Sequence, residues 1–353
     1  MVYILAAILI FGVLIGVHEL GHFLAAKACG VRVNEFAIGM GPAIFKKQKG
    51  ETLYALRLFP IGGFCAMEGE EEDSEDPHAL NNQGFWKKLL IYAAGAFMNF
   101  LTGFIIILCL YAGFKSFPTS TIASFEPDCP LQGENGLQEG DTILSINGER
   151  VYVSGDVSFL LGMSKDNSYD LVVRRNGQRV ALKDFPMELR EYPDGNGGTI
   201  MRYGFSLAYK EASLGNHISY SWNNAMDFVR MVRLSIQMLL TGQAGIKDLS
   251  GPVGIVSTIT EVGEQSESVR AAIDNIAYFA ALIAVNLAVM NLLPLPALDG
   301  GKIFFLVINA LAMLLFKKQI PAKYENYIHF AGLILLLGLM LFVTFHDVWK
   351  LFT

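Results

Sequence analysis

The chain has no lysine or arginine before Lys27, no CxxC pair among its four cysteines and no internal repeat. Each absence excludes something. A cleaved secretory signal opens on a basic segment, so the apolar N-terminus, longer than a usual signal core, does not read as one. Cys29, Cys65, Cys109 and Cys129 are scattered, which rules out a disulfide framework and leaves four packed or free thiols. Positive charge does not predominate either. The net charge is -6, with no sign of nucleic-acid binding. Charge of any sign is scarce at 17%, against 52% hydrophobic residues, a balance expected of membrane spans mixed with soluble parts.

About 20 apolar residues cross roughly 30 Å of hydrocarbon. Four stretches meet that length: residues 1–26, interrupted only by His18, Glu19 and His22, then 89–114, 275–298 and 326–346. Residues 303–316 form a shorter uncharged stretch, read as interfacial or packed against the third span. Lys and Arg concentrate in the first loop (Lys27, Arg32, Lys46, Lys47, Lys49, Arg57, Lys87, Lys88) and in the third (Lys302, Lys317, Lys318, Lys323). The positive-inside rule puts both loops in the cytoplasm. Both termini and the long segment 116–274 then face outside.

The expected organisation is a first span over residues 1–27, a cytoplasmic-side β-hairpin with an acidic loop over 28–84, and a second span over 85–115. An extracytoplasmic sheet domain over 116–210 and an amphipathic region over 211–273 follow. The third span covers 274–301, a cytoplasmic-side segment 302–323 and the fourth span 324–347. In the first loop, apolar and polar residues alternate between glycines Gly39, Gly41, Gly62 and Gly63, which predicts short strands forming a hairpin or small sheet. Such backbone is tolerated at membrane depth only where protein or water covers it. The acidic run from Glu68 reads as a solvated loop. Asn147-Gly148 and Asn176-Gly177 mark hairpin turns, and a short helix is expected over residues 154–161.

The chemistry concentrates in "HELGH". His18 and His22 are four apart and share one face of a helix, so both imidazoles can reach one zinc ion. Glu19 is offset and meets a metal-bound water instead. An ionisable side chain at mid-membrane costs about 3 kcal/mol or more, so chance placement explains it poorly. A catalytic zinc takes three protein ligands and keeps one position open. Asp299 is the natural third ligand: Pro294 and Pro296 break the helix before it, Gly300-Gly301 permits a tight turn, and its depth matches that of the histidines. His78, His217, His329 and His346 lie elsewhere and are poorer candidates.

HELGH in the first span, "NLLPLPALDGG" in the third and the intervening soluble stretch resemble the site-2 protease family of intramembrane zinc metalloproteases. The likeness is to the bacterial regulator of sigma-E protease type. The soluble stretch, on Gly136-Leu137 through Gly148, resembles a circularly permuted PDZ domain, and "LSGPVGIV" resembles a segment these proteins carry after it. Gly95 and Asn99 match the family's GxxxN motif, with Ala96 where many relatives have proline.

The resemblance implies a multi-pass α-helical membrane protein with four transmembrane helices, a membrane-associated β-hairpin and an extracytoplasmic α+β PDZ-like domain. It implies one Zn2+ on His18, His22 and Asp299, with Glu19 as general base and acid. It also implies substrate contacts at Asn291 and Asn99, and an extended substrate held along the hairpin that carries Gly39 and Gly41. The implied partners are the lipid bilayer and single-span proteins such as trimmed anti-sigma factors or remnant signal peptides, cut within the bacterial cytoplasmic membrane near its inner side. The PDZ-like domain either binds peptide or acts as a lid or size filter. A catalytically silent scaffold is the competing reading, opposed by the intact Glu19. A transporter would spread ionisable residues through several spans, and this chain does not.

Overall fold

The computed structural model describes residues 2–350, apart from 71, 73, 165, 194–196, 246–248 and 319–320. Positions 71 and 73 of the acidic run therefore lie outside the described residues. The chain divides into two compact units, one of Met1–Leu110 with Phe228–Thr353 and the other of Tyr111–Asp227.

The first unit is helical. Its helices are α1 (Val2–Ala28), α2 (Phe85–Tyr111), α4 (Leu214–Leu240, whose first half belongs to the other unit), α5 (Pro252–Glu264), α6 (Val269–Asn291), α7 (Asp299–Phe316) and α8 (Ala322–Lys350). Among the described residues, five helices are long and apolar enough to cross a membrane: α1, α2, α6, α7 and α8. The sequence count of four leaves out α7, because counting uncharged residues starts after Lys302. The helix itself starts at Asp299 and its 18 residues reach about 27 Å at 1.5 Å per residue. Lys302 is not left bare, since its Nζ pairs with Glu70 at 2.7 Å.

Apolar packing inside this unit follows helix spacing. Ala7 and Leu14 of α1 are buried with Ile259 of α5 and with Ile283 and Ala284 of α6. Small residues let α2 approach its neighbours. Gly95, Asn99 and Gly103 are buried and recur every four residues, so they form one stripe. A Cβ on Gly103 would lie 2.8 Å from Val285 of α6. At the far end, Asp347 of α8 accepts the N–H groups of Gly251 (2.9 Å) and Gly254 (2.8 Å), capping the start of α5 with a carboxylate. That contact accounts for both glycines of the GPVG run, because a Cβ at either would press on the carboxylate.

The segment after α1 forms β1 (Val33–Lys49) and β2 (Thr52–Met67). The expected hairpin is there, and it is folded over. Phe36 pairs with Cys65 on one side and Tyr54 on the other, while Lys47 also pairs with Tyr54. Residues 33–38 and 52–57 thus lie inside a small sheet edged by 63–67 and 43–49. The bends fall at Gly39, Gly41 and Gly62, all with φ between 83° and 90°, a region a side chain rarely adopts. Phe36 and Tyr54 pack on Phe23 of α1 with ring centroids 5.0 and 5.9 Å away, so the sheet is fixed to the helix that carries HELGH. Described residues of the acidic loop make specific hydrogen bonds. Glu68 accepts from Asn34 and Ser74, and Asp76 accepts the His78 N–H, contacts that hold both carboxyls below their usual pKa.

The second unit is a sheet domain. Strands β3 (Ser116–Phe125), β4 (Thr142–Ile146), β6 (Ser168–Arg175), β7 (Gln178–Pro186) and β10 (Phe205–Glu211) run in the order β10-β3-β4-β6-β7, with β5 (Glu149–Arg150) on β4. A second pair joins β8 (Arg190–Pro193) to β9 (Thr199–Arg202). Both predicted asparagine-glycine turns close hairpins, with φ of 51° and 82° at Asn147-Gly148 and 50° and 82° at Asn176-Gly177. The short helix predicted there is α3 (Gly155–Met163). Ile143, Ile146, Leu161, Leu171 and Val173 fill the core. Asp141 is fully buried and held by Arg175 in a two-pronged pair at 2.9 and 2.7 Å, which raises the guanidinium pKa further.

Candidate metal centre

The carboxyl-terminal half of α1, one face of α2 and the start of α7 make the site. α1 brings His18 and His22 to the same face, as their spacing predicts. α6 stops at Asn291, earlier than the span read from sequence, because Pro294 and Pro296 supply no N–H for a continuing helix. The chain then turns, and Asp299 is the first residue of α7 instead of the last of α6. Gly300 and Gly301 make that turn possible: a Cβ on either would strike the backbone carbonyls of residues 292–295. Asp299 also sits where the N–H groups of a helix's first turn favour negative charge.

His18 Nε2 and His22 Nε2 are 3.2 Å apart, and each lies 3.1 Å from Asp299 Oδ2. Residues 277 positions apart in sequence therefore meet at one point. Among the described residues this is the cluster of three whose ligand atoms lie within 4.8 Å of one another. Ligands about 2.0–2.1 Å from a tetrahedral zinc stand about 3.3 Å apart, so the trio fits such an ion. His22 Nδ1 lies 2.8 Å from the Ile91 carbonyl and must donate to it, which leaves the Nε2 lone pair facing the site. Two imidazole lone pairs and a carboxylate converging like this repel unless a cation or proton lies among them.

Asn99 supplies the matching contact for His18. Its amide nitrogen lies 3.5 Å from His18 Nδ1, and its Oδ1 is buried without a partner. Amide nitrogen and oxygen are interchangeable by a half-turn. Turned over, Oδ1 accepts the His18 Nδ1–H, and Nε2 is freed for a metal. Gly95, one turn earlier, has to lack a side chain: a Cβ would lie against His22 Nε2 and 2.6 Å from His18 Cε1.

Glu19 follows His18 on the next face. The part of the small sheet beside it is Gly63, where a Cβ would stand 3.5 Å from Glu19 Cγ and 2.9 Å from the Ala37 carbonyl. Gly39 and Gly41 face elsewhere, toward Arg57 and Phe59 of β2. Asn291 is half-buried at the end of α6, and among the described residues no hydrogen bond joins it to the cluster. Gly63 enters the sequence reading only as a hairpin glycine, and the Ile91 carbonyl and the Lys302–Glu70 pair do not enter it. Only the Gly62-Gly63 doublet carried a signal, as a close-approach position.

A helix-borne HExxH whose two histidines meet a distant aspartate, in a chain of apolar helices, defines the metallopeptidase class. The family model of peptidase family M50 matches residues 6–339, and the chain belongs to that family, the site-2 proteases. A Clostridium perfringens protein named as a zinc metalloprotease is 38% identical over 348 residues, covering 98% of each chain. The regulator of sigma-W protease RasP of Bacillus subtilis is 29% identical over 436 aligned positions, covering 99% of each. With this family and these helices, the chain is a multi-pass membrane protein.

Proposed function

We propose that the protein is an intramembrane zinc metalloprotease that hydrolyses peptide bonds within the transmembrane segments of single-span proteins. The observation carrying this reading is the convergence of His18, His22 and Asp299 on one point with Glu19 one residue away. One zinc ion would be held by those three side chains. When bound, zinc supplies Lewis-acid polarisation and lowers the pKa of water to about 7.

The chain's own residues do the rest. Ile91 and Asn99 orient the two imidazoles. Glu19 holds the proton given up by water and returns it to the leaving amine, a role worth about 10²–10⁴ in rate. A transmembrane helix hides its peptide bonds within its own hydrogen bonds, so substrate has to unwind before it is cut. Among the described residues, the sheet edge at 63–67, whose Gly63 lies beside Glu19, pairs on one side with residues 33–38, and its other side would take an extended segment. Gly39 and Gly41 serve this by bending β1 so that residues 33–38 can lie behind that edge. Asn291, the last residue of α6, would hold substrate backbone beyond the helix end.

The sheet domain of the second unit is proposed as the PDZ-like module, facing outside as a filter or peptide dock, with the site near the cytoplasmic side of a bacterial cell membrane. RasP's name ties that relative to sigma-W regulation. Membrane-bound anti-sigma factors are accordingly the first substrates to try, with remnant signal peptides second.

The test compares purified wild type with Glu19→Gln for zinc content and for cleavage of a single-span substrate. Both forms should hold about one zinc, as a three-ligand site does, and only wild type should cut. Zinc without cleavage in wild type would favour the silent scaffold. No zinc in either form would overturn the ligand set.

A further inference from the structure

His329 of α8 was set aside above as a metal ligand, and the structure gives it another place. Its Nδ1 lies 2.9 Å from the Ala297 N–H and accepts from it. Ala297 has φ of 71°, a left-handed conformation that alanine rarely adopts and that the surroundings must hold. Asp299, the carboxylate that meets both histidines, is two residues further on.

The imidazole is wedged into this turn from several sides. A Cβ on Gly301 would stand 3.1 Å from His329 Cε1, so the ring lies against the first turn of α7. The Phe305 ring centroid is 5.4 Å away, and Glu325 Oε1, one turn back on α8, is 4.0 Å from the other ring nitrogen. Next along α8, Gly332 lets Pro296 pack onto the helix. α8 therefore holds the turn before Asp299 by one apolar contact and one directed hydrogen bond. Filling the space needs only a ring of this size. Holding the Ala297 N–H needs an acceptor at the Nδ1 position.

We infer that His329 is a positioning residue for the metal-binding carboxylate, fixing the left-handed turn at Ala297 and thereby aiming Asp299 at His18 and His22. This rests on the metalloprotease reading of the site. His329 does not touch the reacting atoms, and its effect passes through backbone.

The experiment uses the full chain purified in detergent, with zinc retention measured against a competing chelator and thermal unfolding measured on the metal-free protein. His329→Phe keeps the ring and removes the acceptor, and should bind zinc about 10–100-fold more weakly, the range for groups that orient a metal ligand. His329→Asn puts an amide oxygen near the Nδ1 position and should hold zinc nearly as wild type does. Ala297→Gly, which adopts a positive φ freely, should recover part of the loss in the His329→Phe background. The metal-free melts of these forms should differ little.

If His329→Phe retains zinc like wild type, the inference is overturned while the metal site stands. Equal loss in His329→Phe and His329→Asn, with lowered metal-free melts, would make His329 a packing residue only and overturn it too. If wild type itself binds no zinc, it is the metalloprotease reading that fails first.

Discussion

Two aspartates, one buried and one half-buried, do opposite things in this protein. Asp141 in the sheet domain is wholly buried, gripped by both prongs of Arg175 and by the Gln138 N–H at 2.9 Å. Its charge is matched by a cation that cannot be lost at any ordinary pH. Asp299 keeps 14% of its side chain exposed and meets two imidazoles, which carry no permanent charge. The first arrangement is closed and complete. The second is missing one positive charge, and that deficit is what marks it as a place for a metal.

Substitution should separate the two cleanly. The largest effect is expected from Asp299→Asn, which removes a ligand's charge: zinc binding should weaken more than about 100-fold, beyond the loss from merely reorienting a ligand. Cleavage should vanish with it, while hydrogen exchange over residues 111–227 stays as in wild type. Asp141→Asn should reverse that pattern. Removing the charge opposite Arg175, whose guanidinium still donates to the Gly136 carbonyl, should destabilise the sheet domain by about 1–3 kcal/mol, with zinc content unchanged. Loss of zinc in Asp141→Asn would break the contrast between the two sites.

Gly95→Ala tests how closely α2 must approach. Its added methyl meets His22 Nε2, so zinc affinity should fall by about tenfold, at the low end of what disturbed ligand orientation costs. The smallest effect concerns pH. Glu68 and Asp76 have depressed pKa values, so their hydrogen bonds contribute above the ordinary carboxylate range and are lost as pH falls through the depressed values. Hydrogen exchange around residues 68–78 should rise slightly on acidification below about pH 4, taking the unperturbed Asp and Glu range as reference.

Much of this was legible in the chain itself. His18 and His22 announce themselves because helical spacing converts directly into a shared face. The Asn147-Gly148 and Asn176-Gly177 turns do so because few residues accept two successive positive φ angles. Asp299 was found as a residue, and its element was misplaced: the apolar run continues through Leu298 although the helix ends at Asn291. Hydrophobicity reports what the surroundings are, and the prolines within the run decide where the helix stops. The double pairing of Phe36 was hidden because alternation in β1 says nothing about how many neighbours a strand has. The Ile91 carbonyl has no side-chain signature at all, and His329 lost its apparent meaning once it was judged only as a ligand.

The cap that Asp347 places on α5 has a consequence in time. Its partner Gly251 precedes it by 96 residues, so a ribosome adding about 5–20 residues per second delivers the carboxylate roughly 5–20 s after the N–H groups it must cover. Through that interval α5 starts with open donors while α6, α7 and α8 are still being made. Closure of the start of α5 therefore waits for α8, and the order of synthesis becomes the order of closure.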